Sequence, residues 1–201
     1  MKVTLLYILF ALTGLLNHTN LNGMSMNYFI YPDKETKCKH DFPNGLSFFF
    51  EQVGGYGEHS EVSQVSKILN IDLSIFQHYD SSRPENEKYD DREFWNDIDT
   101  FINVIDLFVN KIQENKDYYK SVQYNPNQIK YDNQLENIWK IKDTTVRNKE
   151  LDNLYKQPGF LCPLDYGYLK NGEILIDLND LKQVFECLKK EGIKRIKLMY
   201  M

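Results

Sequence analysis

Apolar side chains recur at three- and four-residue steps from Phe94 to Ile112: Phe94, Ile98, Phe101, Ile102, Ile105, Phe108, Val109 and Ile112. At about 100° per residue this spacing gathers them on one stripe and predicts the longest amphipathic helix of the chain. Asp90, Asp91 and Glu93 stand at its start, where the helix dipole favours carboxylates. A shorter helix is expected behind Ser60, whose hydroxyl suits an N-cap, with Val62, Val65, Ile68 and Leu69 on one face. Tyr28 to Tyr31 reads as a short strand closed by Pro32. The aromatic run from Leu46 to Val53 fits either a helix or a buried strand, which periodicity does not separate.

Toward the C-terminus, Tyr166–Leu169 and Glu173–Ile176 flank Asn171-Gly172, a dipeptide tolerant of positive φ, and predict a β-hairpin. Asp177 or Asn179 would cap a following helix with Leu181, Val184, Phe185 and Leu188 inward and Gly192 at its end. Ile196, Leu198 and Tyr200 then alternate with Arg195 and Lys197 as in a half-buried strand, expected to return parallel to the second hairpin strand. Between these regions, Ser81–Lys88 reads as a surface loop, Tyr118–Tyr124 as a strand and Asn125-Pro126-Asn127 as a turn. A helix carries Leu135, Ile138 and Trp139, and the stretch from Asp143 to Gln157 is left open between helix and loop. The class is α+β: a small mixed sheet with a C-terminal β-hairpin–helix–strand unit packed against amphipathic helices. A chain of 201 residues suits one such domain, placed at 24–201 behind a leader at 1–23.

That leader is the apolar run Val3–Leu16, which follows Lys2 and gives way to polar residues at Asn17, as in a signal peptide. It is shorter than the roughly 20 residues that span a bilayer as a helix, so membrane association is expected only through this segment if it stays uncleaved. No small-x-small cleavage site follows it. Met24 and Met26 offer internal starts just ahead of the first strand. Export to the periplasm or envelope is the expectation, with a cytoplasmic protein as the alternative if translation begins at either methionine.

Charge narrows the partner. The formal net charge is -5, and between Asp72 and Asp117 twelve Asp and Glu stand against five Lys and Arg. Such a stretch repels phosphate backbones, which argues against nucleic acid, and favours a protein with a basic surface. On the long helix, Asn96, Thr100, Asn103, Leu107, Asn110 and Glu114 fall opposite the apolar stripe, with Asp99 and Asp106 beside them. Leu107 is thus an apolar point inside an acidic and amide surface, so Asp99, Asn103, Asp106, Leu107 and Asn110 form the candidate partner-binding set.

Catalytic chemistry is less well marked. Cys38, Cys162 and Cys187 have no paired spacing; in an exported chain one disulfide would form, and the sequence does not choose among three pairings. Cys187 is read as packed beside an apolar stripe. The Gly54–Gly57 loop lacks the endings of phosphate-binding motifs and carries Glu58. Cys38, His40, His59 and His78 are the residue types of a thiol hydrolase or a metal site, yet no motif spacing joins them. Asp90 and Asp97 offer a carboxylate pair for glycoside hydrolysis or, more simply, a solvated helix start. No cofactor or metal site is expected, and the balance favours a protein that is not an enzyme.

The ending Glu173-Ile-Leu-Ile-Asp-Leu-Asn-Asp-Leu, a Leu/Val/Phe helix, then Glu191-Gly-Ile-Lys-Arg-Ile-Lys-Leu-Met-Tyr200 resembles the close of small immunity-type proteins of bacterial polymorphic-toxin systems. The resemblance covers the C-terminal pattern only. It implies a non-enzymatic protein that neutralises a cognate toxin, often through an acidic surface, and transfers no specific contact residue. A hydrolase or metal-dependent enzyme using Cys38, His40, His59 and His78, and a structural protein of the cell envelope, are the alternatives.

Overall fold

The computed structural model describes residues 27–54, 56–79, 91–157 and 159–200. The expected leader, the methionines at 24 and 26, the loop 81–88 and Asp90 lie outside them. In chain order the elements are β1 (Tyr28–Pro32), α1 (Asn44–Phe50), α2 (Glu61–Leu69), β2 (Trp95–Asp97), α3 (Ile98–Glu114), α4 (Gln128–Trp139), α5 (Thr144–Tyr155), α6 (Glu173–Lys190) and β3 (Arg195–Tyr200). Short 3₁₀ turns occur at Ser74–Phe76, Asp91–Phe94 and Tyr118–Ser121. The class is α+β, as the patterning implies.

Alternation places β3 at the centre of the sheet, antiparallel to both neighbours. It pairs with β1 from Tyr28↔Tyr200 to Pro32↔Ile196, and with β2 from Trp95↔Lys197 to Asp97↔Arg195. Ile30, Ile196 and Leu198 enter the core from the inner face. Lys197 was expected in solvent but is only 8% exposed. Its ammonium stands 5.0 Å from the ring centre of Tyr79, 5.3 Å from Trp95 and 5.9 Å from Tyr31, so aromatic faces cover a charge that alternation alone would leave in water.

Two helical stripes form the other half of the core. Ile98, Phe101, Ile105, Phe108 and Ile112 of α3, and Ile174, Leu178, Leu181, Phe185 and Leu188 of α6, are all buried at alternating three- and four-residue steps. The two helices pack together, with Phe101 against Phe185 at 5.3 Å between ring centres. Phe50 stacks flat on Phe76 at 3.8 Å.

Several expectations are corrected here. The C-terminal hairpin does not form, because Glu173–Ile176 is the first turn of α6. The short apolar run Ile174–Ile176 opens a longer 3.6-residue period in which Ile174 pairs with Leu178, and helical burial wins over a short strand. Gly172 keeps the positive φ expected of it (+75°), but at the entry to the helix rather than in a hairpin. No second hairpin strand exists for β3 to parallel; the parallel contact present is an isolated bridge from Tyr79 to Met199. Tyr118–Tyr124 is not a strand, and its start is a 3₁₀ turn that buries Tyr118. The long helix begins at Ile98, since β2 takes Trp95–Asp97, so Asp99 is the acid of its first turn. The helix/strand ambiguity at Leu46–Val53 resolves as α1.

Other signals hold. Ser60 caps α2, its hydroxyl accepting from the Ser63 amide at 3.2 Å. Gly192 (φ +79°) closes α6 with Ile193 N–H to the Leu188 carbonyl and its own N–H to the Lys189 carbonyl, the paired bonds of a Schellman ending. Asp143 caps α5 by accepting from Thr145 and Val146 amides. Helices α4 and α5 pack on each other, and Tyr131 and Leu154 bury there, with the half-buried Phe160 against the Tyr131 ring, apart from the main core. The Asn125 N–H donates to the Pro163 carbonyl at 2.8 Å, which joins the two ends of this excursion.

Cys187 is not merely packed. It forms a disulfide with Cys38 across 149 residues, with Cα atoms 6.0 Å apart, and leaves Cys162 free. Glu191 reinforces the tie by accepting from the Thr36 hydroxyl at 2.5 Å and the Lys37 amide at 2.8 Å, which holds its carboxyl below the usual range. Since a cross-link of this span removes much chain entropy from the unfolded state, reduction by a dithiol should lower unfolding stability by about 2–5 kcal/mol. Urea titrations of the oxidised and reduced chain measure it, and an unchanged midpoint would show the link contributes nothing.

Candidate binding surfaces

The outer face of α3 presents Leu107 as expected, 45% exposed, with Asn103 and Asn110 exposed beside it. The acids around it are already matched. The Lys189 ammonium lies 2.6 Å from Asp99, and that of Lys182 lies 2.5 Å from Asp106. Both lysines belong to α6, so these pairs tie α3 to α6 and reduce the negative field the face offers to a partner.

The Cys38, His40, His59 and His78 set is drawn into separate local contacts. The Cys38 thiol is consumed by the disulfide. The His40 Nδ1 stands 2.8 Å from the Cys38 carbonyl, and the His59 Nε2 stands 3.7 Å from Glu58 at the surface. The His78 Nδ1 lies 2.9 Å from the Tyr28 hydroxyl, with its ring against Tyr200. No group of three or more His, Cys, Asp or Glu side chains is arranged to hold a metal ion among the described residues. Gly54 and Gly57 take positive φ in the connection from α1 to α2, which is the ordinary work of such a loop. Asp97 occupies the N-cap position of α3 without a side-chain cap bond.

A different surface stands out. Between α1 and α6 lies an open groove of about 910 Å³. Its α6 wall is Glu173, Ile176, Asp177, Asp180 and Val184, which share one face of the helix beside the buried stripe. Phe48 of α1, Pro43, Tyr166 and Lys39 also line the groove. Three large apolar or aromatic side chains are left in water here: Phe48 at 58% exposure, Ile176 at 62% and Tyr166 at 80%. Asp41 adds a fourth carboxylate, paired with Lys39 at 2.8 Å. No lysine or arginine is paired with Glu173, Asp177 or Asp180 among the described residues.

Local structure explains how the groove is held. Asp177 accepts from the Tyr168 hydroxyl at 2.9 Å, and the Leu46 amide in the first turn of α1 favours its charged form. That contact requires Gly45, because a Cβ there would stand 2.4 Å from an Asp177 carboxylate oxygen and 2.4 Å from the Tyr168 ring. Burial raises the Asp177 carboxyl above the usual range, opposed by the Tyr168 hydrogen bond and assisted by the like charges of Asp180 and Glu173. The same cause raises Glu61, which accepts from Tyr124 at 2.7 Å.

The sequence pattern holds a signal for this groove that a strand assignment hides. Glu173, Ile176, Asp177, Asp180 and Val184 recur at helical steps, so an isoleucine sits among acids as Leu107 does on α3. Among the described residues, no helix is long and apolar enough to cross a membrane. No protein family, curated protein or solved structure matches the chain.

Two outcomes follow for the side chains placed here. Leu107→Ala should change unfolding stability by no more than about 0.5 kcal/mol, as for other exposed positions; a much larger loss in a urea titration would place the residue in the core. Asp177 binds its proton more tightly folded than unfolded, so its contribution to stability is greatest at acid pH. That contribution declines as pH rises from the ordinary aspartate range through the raised folded value. Asp177→Asn should remove this component, and the difference in stability between wild type and variant, followed through that interval, should drift in favour of the variant.

Proposed function

We propose that the chain is a non-enzymatic binding protein that seats a basic-surfaced protein in the groove between α1 and α6, and that it acts as an immunity-type inhibitor of a cognate toxin. The observation that carries this reading is the exposure of Phe48, Ile176 and Tyr166 beside Glu173, Asp177 and Asp180, carboxylates with which no lysine or arginine is paired among the described residues. Apolar side chains in a dry centre supply affinity, while a charged rim steers encounter. The C-terminal pattern, and the dispersal of Cys38 and the histidines into local contacts, fit the same role.

Export fits as well. The Cys38–Cys187 disulfide belongs to oxidising compartments such as the periplasm, and the apolar leader supplies a route there. The outer face of α3 is the second surface, supported by the exposure of Leu107 beside Asn103 and Asn110. Its paired acids give it a weaker field than the groove.

Co-expression with a toxin encoded beside the gene is the direct measurement. The wild-type chain should restore growth of a host that the toxin otherwise kills. Glu173→Lys with Asp180→Lys should abolish that protection while leaving unfolding stability within about 0.5 kcal/mol per site. Protection by the doubly reversed chain would remove the groove as the interface, and no protection by the wild type would remove the immunity reading.

A further inference from the structure

We infer that the groove is built to take an arginine side chain as the partner's anchor. The inference rests on the reading of the groove as a docking site and names the chemistry of what enters it.

Charge complementarity is the first support. Glu173, Asp177 and Asp180 project from one face of α6 at four- and three-residue steps, close enough for their charges to oppose one another. A cation placed among them relieves that repulsion. Asp177 is already engaged by Tyr168 and the Leu46 amide, so it is fixed in position, whereas Asp180 presents its carboxylate outward.

The second support discriminates between the two common cations. A lysine ammonium is a strongly hydrated point charge that gains little from an aromatic wall in water. An arginine guanidinium is planar, weakly hydrated, able to stack on a ring and able to bind a carboxylate through two parallel N–H donors. This groove offers both elements at once: the exposed rings of Phe48 and Tyr166, and carboxylates on the facing helix. Its apolar side chains, Ile176 and Val184, would cover the methylene stem of such a residue.

Hexa-arginine and hexalysine amides carry equal charge and serve as the probes. Their binding to the oxidised full chain is followed by backbone amide shifts, so that the site is mapped as well as the affinity. Hexa-arginine should bind at least about tenfold more tightly than hexalysine, with the largest shifts at Phe48, Ile176 and Asp180. Phe48→Leu, which keeps an apolar wall but removes the ring, should bring the two peptides close to parity. Asp180→Asn should weaken both. Equal binding of the two peptides in the groove would overturn the arginine inference and leave the cationic docking site standing. If neither peptide shifted resonances in the groove, the docking reading itself would fall with it.

Discussion

A helix of seven residues does not hold itself in water, because a single hydrogen-bonded turn barely offsets the cost of nucleation. Helix α1 persists because both of its ends are satisfied from outside. At its start the Leu46 amide meets Asp177 of α6, an approach that only a glycine at position 45 permits. At its end the Phe50 carbonyl accepts from the Tyr28 hydroxyl of β1, 2.8 Å away, and that hydroxyl also stands 2.9 Å from the Phe76 carbonyl. One phenol thereby links the first strand, the first helix and the 3₁₀ turn at Ser74–Phe76. The wall of the groove that carries Phe48 stands where it does because of these two anchors.

The distribution of charge follows from the same packing. Lys182 and Lys189 point from α6 toward α3 and are spent there on Asp106 and Asp99. The carboxylates on the other side of α6, at Glu173, Asp177 and Asp180, receive none of that compensation. One helix thus presents a neutralised flank to its neighbour and an uncompensated flank to solvent. An average over the sequence places the acidity near the middle of the chain, but pairing in three dimensions moves the effective negative field to the C-terminal helix.

Much of the framework is legible in the sequence because it rests on long periods and local caps. The α3 stripe, the Ser60 cap, the Gly192 ending and the alternation of β3 are each set within a few residues. The α6 start misleads because the short run Glu173 to Ile176 behind Asn171-Gly172 fits a hairpin strand as well as a helix, and only Leu178 and Leu181 beyond it decide. Lys197 shows the opposite limit: its neighbours in sequence say nothing of Tyr31, Tyr79 and Trp95, which reach it through strand pairing. The disulfide is of the same kind, since Cys38 and Cys187 meet through the docking of a loop onto a helix end. Periodicity alone marks the face of α3, but the lysines that quench its acids come from α6, Lys182 standing 76 residues beyond Asp106. The groove escapes a reading of the sequence because its two walls belong to helices far apart in the chain, and the first turn of α6 reads as a hairpin strand.

The excursion through α4 and α5 has a consequence for how this chain can change. Its two ends are joined by the Asn125–Pro163 bond, and its buried residues serve its own small core. The chain therefore returns to its point of departure, and whatever lies between is geometrically decoupled from the path of the rest. Duplication, shortening or replacement of this segment would leave both walls of the groove in register. New surface could be built here without altering the core that the other helices share.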